Sequence, residues 1–265
     1  MTKPYIAASS YLNAAPLCYS FIHGEQRDLC NFLSDAAPSR CAEMLADSQA
    51  DAGLIPVIEY QRIPGLKIAP GACVASLRTV RSVILASRRP ITEIRSVALD
   101  TSSRTSAALV RIILSKFYSV SPTYRTSPPQ LDEMLQAHDA ALLIGDPAML
   151  IDRSQLYVYD LAEEWHKHTD LPFVFAFWGM RADSQNWPCG VDFVRARREG
   201  LLNAERIAQT YSIALGLPGT DLLSYLTENI SYDLDERSLR GLGLYYDLAM
   251  ECGLIETVRP LNFLA

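Results

Sequence analysis

Two apolar, β-prone runs decide how this chain is organised: Val80-Arg81-Ser82-Val83-Ile84-Leu85-Ala86-Ser87, ended by Arg88, Arg89 and Pro90, and Phe173-Val174-Phe175-Ala176-Phe177-Trp178. Around them, short runs of strand length alternate with helix-length periodic segments, which predicts α/β architecture with largely parallel sheets. The first run reads as a crossover into another lobe and the second as the crossover that brings the chain back. Two crossovers make a hinge. The expected fold class is therefore α/β and two-lobed, with residues 1–87 plus 180–265 in one lobe, residues 88–179 in the other and a ligand cleft between them.

Working outward towards the N-terminus, residues 51–55 form a buried strand stopped by Pro56, and Ser39 caps a helix that runs to about residue 47. Residues 5–8 are the first strand. The polar turn Ser9-Ser10-Tyr11-Leu12-Asn13-Ala14-Ala15-Pro16 follows, its proline suited to the first turn of a helix over residues 17–23. Between the two runs, residues 96–99 are a strand, Asp100-Thr101-Ser102-Ser103-Arg104-Thr105-Ser106 a polar turn and residues 107–118 a helix. A short helix over 128–137 and a strand over 140–144 come next, ended by Gly145-Asp146-Pro147. Beyond residue 180 the pattern is helical: 193 to about 215, around 222–226, and 235–252 with Gly253 past its end.

A length of 265 residues with 49% apolar content supplies ample core. The balance of 24 Lys and Arg against 30 Asp and Glu leaves a net charge of −6, so no global positive field exists to hold a nucleic acid or an anionic membrane. The first residues lack an apolar segment of secretory length and nothing later approaches a membrane span, which leads us to expect a cytoplasmic protein. Cys18, Cys30, Cys41, Cys73, Cys189 and Cys252 lie far apart without a C-x-x-C pair and read as buried reduced thiols. The patch Glu163-Glu164-Trp165-His166-Lys167-His168 lacks a second pair of ligands and reads as amphipathic surface, so no metal is expected. Phosphate-binding, dinucleotide-binding, nucleophile-elbow and zinc-protease motifs are missing, which counts against phosphoryl transfer, hydride transfer and triad hydrolysis.

Three features remain for chemistry. The turn over residues 100–106 opens a helix with a density of hydroxyls, Ser102, Ser103, Thr105 and Ser106, plus Arg104, that exceeds what ordinary capping needs. Free backbone N–H groups and the positive end of the helix dipole would join them in an anion site that fits a carboxylate. Asn13 follows the first strand, where its amide can donate to one ligand oxygen and accept from another, although turn asparagines also serve the backbone alone. Asp146 either accepts a hydrogen bond in the cleft or merely forms the turn before Pro147.

The run Ser10-Tyr11-Leu12-Asn13-Ala14-Ala15-Pro16-Leu17 resembles the S-Y-L-N-x-x-P-L signature of the chorismate dehydratases of the futalosine route to menaquinone. The likeness continues in order through Gly53-Leu54-Ile55-Pro56, Glu59-Tyr60, Val80-Arg81-Ser82-Val83, residues 98–106, Gly145-Asp146-Pro147 and residues 171–178, and is looser over residues 72–78. The resemblance implies a type II periplasmic-binding-protein fold and conversion of chorismate to 3-[(1-carboxyvinyl)oxy]benzoate and water, with no cofactor because aromatisation drives the step. For that reaction we expect Ser102, Ser103, Thr105 and Ser106, with the helix N-terminus and Arg104 beside them, to hold one substrate carboxylate. Ser10, Tyr11 and Ser76 would orient the ring or the second carboxylate, Asp146 would serve as a further cleft group, and Asn13 would hydrogen-bond the departing hydroxyl or the developing charge. With no base in a motif, a substrate carboxylate is expected to take the proton. The sister 1,4-dihydroxy-6-naphthoate synthases open instead with a motif like S-P-C-P-N-D-T and use a histidine, whereas His23, His138, His166 and His168 lie in no site motif here. A cytosolic anion-binding protein of the same fold is the other alternative.

Overall fold

The computed structural model describes residues 3–184 and 190–264. The first sheet contains β1 (Tyr5–Ser9), β2 (Asn31–Asp35), β3 (Ala52–Pro56), β4 (Leu66–Ser76) and, far later, β10 (Phe173–Arg181). The second contains β5 (Val83–Ser87), β6 (Ser96–Asp100), β7 (Thr123–Ser127), β8 (Ala140–Ile144) and β9 (Tyr157–Asp160). The strand orders are β2-β1-β3-β10-β4 and β7-β6-β8-β5-β9. In each, the first three strands are parallel and the fourth runs antiparallel to both neighbours. The fully buried runs of β3, β5 and β8 are what strands covered on both faces require.

The helices are α1 (Ala15–Ile22), α2 (Pro38–Ala46), α3 (Val57–Arg62), α4 (Thr105–Ile112), α5 (Leu131–Ala137), α6 (Asp146–Met149), α7 (Leu161–Thr169), α8 (Phe193–Leu202), α9 (Ala204–Leu215), α10 (Gly219–Ser224) and α11 (Glu236–Glu251). The helix expected over residues 107–118 starts two residues earlier and ends in a π-helical turn, Ile113–Phe117. Helix α11 ties the two lobes together: the Tyr246 hydroxyl donates to the Val57 carbonyl at 2.7 Å and the Tyr245 hydroxyl to the Thr105 carbonyl at 3.0 Å.

The two-lobed α/β expectation holds, but the lobe boundaries shift. The sequence reading left residues 80–87 in the first lobe and residues 173–179 in the second. Residues 83–87 in fact pair with β8 and β9, and residues 173–181 pair with β3 and β4. Each run belongs to the sheet the chain is entering, because an apolar run reports burial and not the partner that buries it. The crossings are therefore residues 77–82 and 170–172. One carboxylate ties the first crossing to the start of α7. Asp160 Oδ2 accepts from the Val80 and Arg81 amides at 3.0 and 2.6 Å, and its Oδ1 caps α7 through Ala162 and Glu163.

Cys18, Cys30, Cys41 and Cys73 are buried and Cys252 is partly exposed, with Cys18, Cys41, Cys73 and Cys252 free thiols. Cys189 lies outside the described residues. In the acidic and histidine-rich patch on α7, Glu164 accepts from the Tyr118 hydroxyl and the His168 ring stacks on Phe117 at 4.6 Å. Among the described residues no helix is long and apolar enough to cross a membrane.

Candidate active site

Strands β1 and β6 occupy equivalent places in their sheets, and each ends in a loop that starts a helix. The two loops face each other across a cleft of about 530 Å³ between the lobes. From the first come Tyr11 and Asn13; from the second come Ser102, Ser103, Arg104, Thr105 and Ser106. Apolar side chains of both sheets form the walls: Leu54, Val74, Val83, Ile144 and Phe175. This is the mostly apolar pocket with a few convergent polar groups that small-molecule sites require.

The second loop is organised by its own chain. Asp100, buried at the end of β6, accepts from the Ser102 amide at 2.8 Å and the Ser102 hydroxyl at 2.6 Å through Oδ1, and from the Ile144 amide at 3.3 Å through Oδ2. Burial holds the Asp100 carboxyl above its ordinary value, with these hydrogen bonds offsetting only part of the rise. Thr105 is committed to the scaffold, since its hydroxyl accepts from the Ile58 amide at 3.3 Å. The Ser103 and Ser106 hydroxyls make no hydrogen bond to a described residue, and with the first N–H groups of α4 they are available to an anion.

The first loop is held from outside. Asp146, on the second lobe, accepts from the Leu12 amide at 3.0 Å. The Tyr211 hydroxyl on α9 donates to the Ser10 carbonyl at 2.7 Å. The Tyr11 ring lies against Gly145, where φ is +65° and a Cβ would fall 2.5 Å from Tyr11 Cδ2. The Tyr11 hydroxyl lies 3.4 Å from the Ser102 hydroxyl across the cleft. Burial is the main reason its pKa is raised, which makes it a poor base at neutral pH. Asn13, in the short 3₁₀ turn Leu12–Ala14, directs an amide with no hydrogen bond to a described residue towards the cleft.

Three expected site residues are placed otherwise. Ser10 is exposed and faces away from the cleft, because only the next residue turns inward. Ser76 is buried opposite Phe173 in the β4–β10 pairing, its hydroxyl without a partner among the described residues, and does not line the cleft. Asp146 acts on the Leu12 backbone and does not line the cleft. Burial raises its pKa to about 6, with the Leu12 hydrogen bond opposing. Arg104 does line it, but its guanidinium pairs with Glu43 of α2 at 2.8 Å, bridging the lobes at the rim. Glu59 is paired with Arg62 at 2.7 Å. Among the described residues lining the cleft there is no Asp, Glu, His or Lys.

Sequence reasoning missed Asp100 as the organiser of the hydroxyl loop, although an Asp two residues before a Ser is a recognisable Asx-turn signal. It also missed the apolar wall, since nothing local distinguishes Phe175 from its buried neighbours.

The sequence pattern of a family described as menaquinone biosynthesis matches residues 4–251. A chorismate dehydratase of Thermus thermophilus is 32% identical over 260 residues, covering 91% of this chain and 93% of that protein. Among solved structures, a protein of Archaeoglobus fulgidus superposes with a TM-score of 0.75 at 18% identity, covering 96% of this chain and 98% of that one. The alkanesulfonate-binding protein of Xanthomonas axonopodis bound to MOPS gives 0.69 at 17% identity, with 96% of each chain covered. The periplasmic aliphatic sulphonate binding protein of Escherichia coli gives 0.64 at 16%, covering 99% and 94%. These structures share the periplasmic-binding-protein fold, and the match over nearly the whole sequence carries the rest: the chain belongs to the menaquinone-biosynthesis family.

Proposed function

We propose that this protein is a chorismate dehydratase, a cytoplasmic carbon–oxygen lyase that removes water from chorismate to give 3-[(1-carboxyvinyl)oxy]benzoate. The observation that carries this reading is the free Asn13 amide facing the Ser103 and Ser106 hydroxyls and the start of α4 across an apolar-walled cleft. The hydroxyl loop would hold one substrate carboxylate, with the ring against Phe175, Leu54 and Val74. Fixing the substrate in this way lowers the entropic part of the barrier. Asn13 would hydrogen-bond the leaving C4 hydroxyl. Loss of the C3 proton and that hydroxyl aromatises the ring, so no redox cofactor is needed. With no titratable base among the described lining residues, the second carboxylate of the substrate is the proposed proton acceptor. The free thiols of Cys18, Cys41, Cys73 and Cys252 accord with a reducing compartment.

The test is mass-spectrometric analysis of chorismate incubated with the protein, without added nucleotide or metal, beside Asn13→Ala. The parent should convert chorismate to a product lighter by one water, and the variant should lose about 10²–10³-fold in turnover, the usual cost of one positioned donor to developing charge, with binding largely kept. Chorismate bound but recovered intact from the parent would overturn the dehydratase reading in favour of an anion-binding protein.

A further inference from the structure

On the other side of the Asn13 loop, α1, β2 and α9 enclose a second groove of about 790 Å³. It shares Ser9 with the cleft but is otherwise separate from it. Its floor is apolar, built from Ile22, Phe32 and Ile207, and two aromatic rings, Tyr19 and Tyr211, flank it. The Arg206 guanidinium projects from α9 at its edge, donating to the Tyr19 hydroxyl at 3.3 Å and making no ion pair with a described carboxylate. The His23 ring lies 5.6 Å from Tyr19, and no Asp or Glu is among the lining residues. A concave apolar surface with aromatic sides, a lone guanidinium and hydroxyls from Ser34 and Thr210 has the make-up of a ligand site and not of a solvated surface.

We propose that this groove is a second binding site, for a small aromatic carboxylate. The carboxylate pairs with Arg206, which offers planar bidentate donors and has no competing acidic partner. The ring stacks between Tyr19 and Tyr211 above Ile207. Acetate alone, without a ring to bury, forfeits most of the contact. The site also touches the catalytic loop through one bond, because Tyr211, which walls the groove, is the residue whose hydroxyl holds the Ser10 carbonyl.

Calorimetric titration with benzoate tests this on the whole chain, comparing the parent with Arg206→Ala and Asn13→Ala, and benzoate with acetate. Arg206 is an exposed residue of α9, so its truncation leaves the core untouched. Saturable benzoate binding by the parent, weakened about tenfold or more in Arg206→Ala, retained in Asn13→Ala and much weaker for acetate, is the expected result. No saturation in the parent, or equal affinity in Arg206→Ala, overturns the site. Loss of binding in Asn13→Ala alone places benzoate in the cleft and overturns it too, and acetate binding as well as benzoate removes the aromatic part. None of these outcomes depends on whether chorismate is turned over.

Discussion

The loops after β1 and β6 hold equivalent places in their sheets and face the same cleft, yet they are built in opposite ways. The loop after β6 carries its own clamp, Asp100, which binds the amide and hydroxyl of Ser102 two residues on and the Ile144 amide on the adjoining strand β8, and first-lobe groups reach it as well: the Ile58 amide on Thr105, the Ser39 amide on the Ser102 carbonyl and Glu43 on Arg104. The loop after β1 has no such internal clamp. It is pinned by Asp146, 134 residues away from Leu12, and by Tyr211, 201 residues away from Ser10. The hydroxyl-rich half of the cleft thus has a carboxylate clamp within its own loop, whereas the half that presents Asn13 takes its shape from contact with the other lobe and with α9. The hydroxyl loop and the placement of Asn13 therefore rest on different carboxylates, Asp100 and Asp146.

The comparison can be broken from either side. Asp100→Ala has the largest expected effect, since it strips the hydroxyl loop of hydrogen bonds to a buried carboxylate and leaves the Ser102 and Ile144 amides unpaired. We expect about 3 kcal/mol of stability to be lost, read from the urea midpoint, with substrate affinity falling as well. An unchanged midpoint would mean that the loop is held by something other than Asp100.

Gly145→Ala strikes the other loop. Its φ of +65° disfavours a side chain, and the new Cβ would meet the Tyr11 ring at 2.5 Å. We expect about 2 kcal/mol of destabilisation, with turnover reduced more than in an Ala substitution on the exposed face of α9, because Tyr11 carries Asn13 with it. A fully active Gly145→Ala would show that Tyr11 need not lie on residue 145.

The smallest effect sharpens the comparison through pH. Because burial raises the Asp146 pKa to about 6, the folded chain binds that proton more tightly than the unfolded chain does. Its contribution therefore favours the folded state below the ordinary carboxylate value and is lost as pH rises through the window from about 4 to about 6. Asp146→Asn abolishes this titration while keeping an acceptor for the Leu12 amide. Its stability relative to the parent should rise across that window and level off above it, measured by denaturant unfolding at a series of pH values. A constant difference would remove Asp146 from any pH response.

The fold was legible in the sequence at the centres of the sheets and not at their margins. Strands β1, β3, β5, β6, β8 and β10 stand out as apolar runs because they are paired on both edges and covered on their faces. The four that the sequence does not announce, β2, β4, β7 and β9, are the four edge strands. β2, β7 and β9 are mixed in sequence and partly exposed, as in Thr123-Tyr124-Arg125-Thr126-Ser127, whereas the outer edge of β4 is bridged by Ser231 and Phe263. Strand β4 is further disguised by Pro70-Gly71, which an edge strand tolerates and where the β10 pairing shifts register. The site divides along the same line. The hydroxyl loop could be read locally, because its chemistry lies within seven consecutive residues. Ser10, Ser76 and the guanidinium of Arg104 could not, since their direction depends on partners distant in sequence.

By itself the sequence determined the α/β alternation, the existence of two crossings and the hydroxyl-rich turn, all of which follow from periodicity and from hydrogen bonds between near neighbours. Only the tertiary structure decided which sheet claims each crossover run, which loop residue faces the cleft and where the apolar wall stands. Those outcomes depend on contacts between residues about sixty to two hundred positions apart, and such contacts leave no period or spacing in the chain.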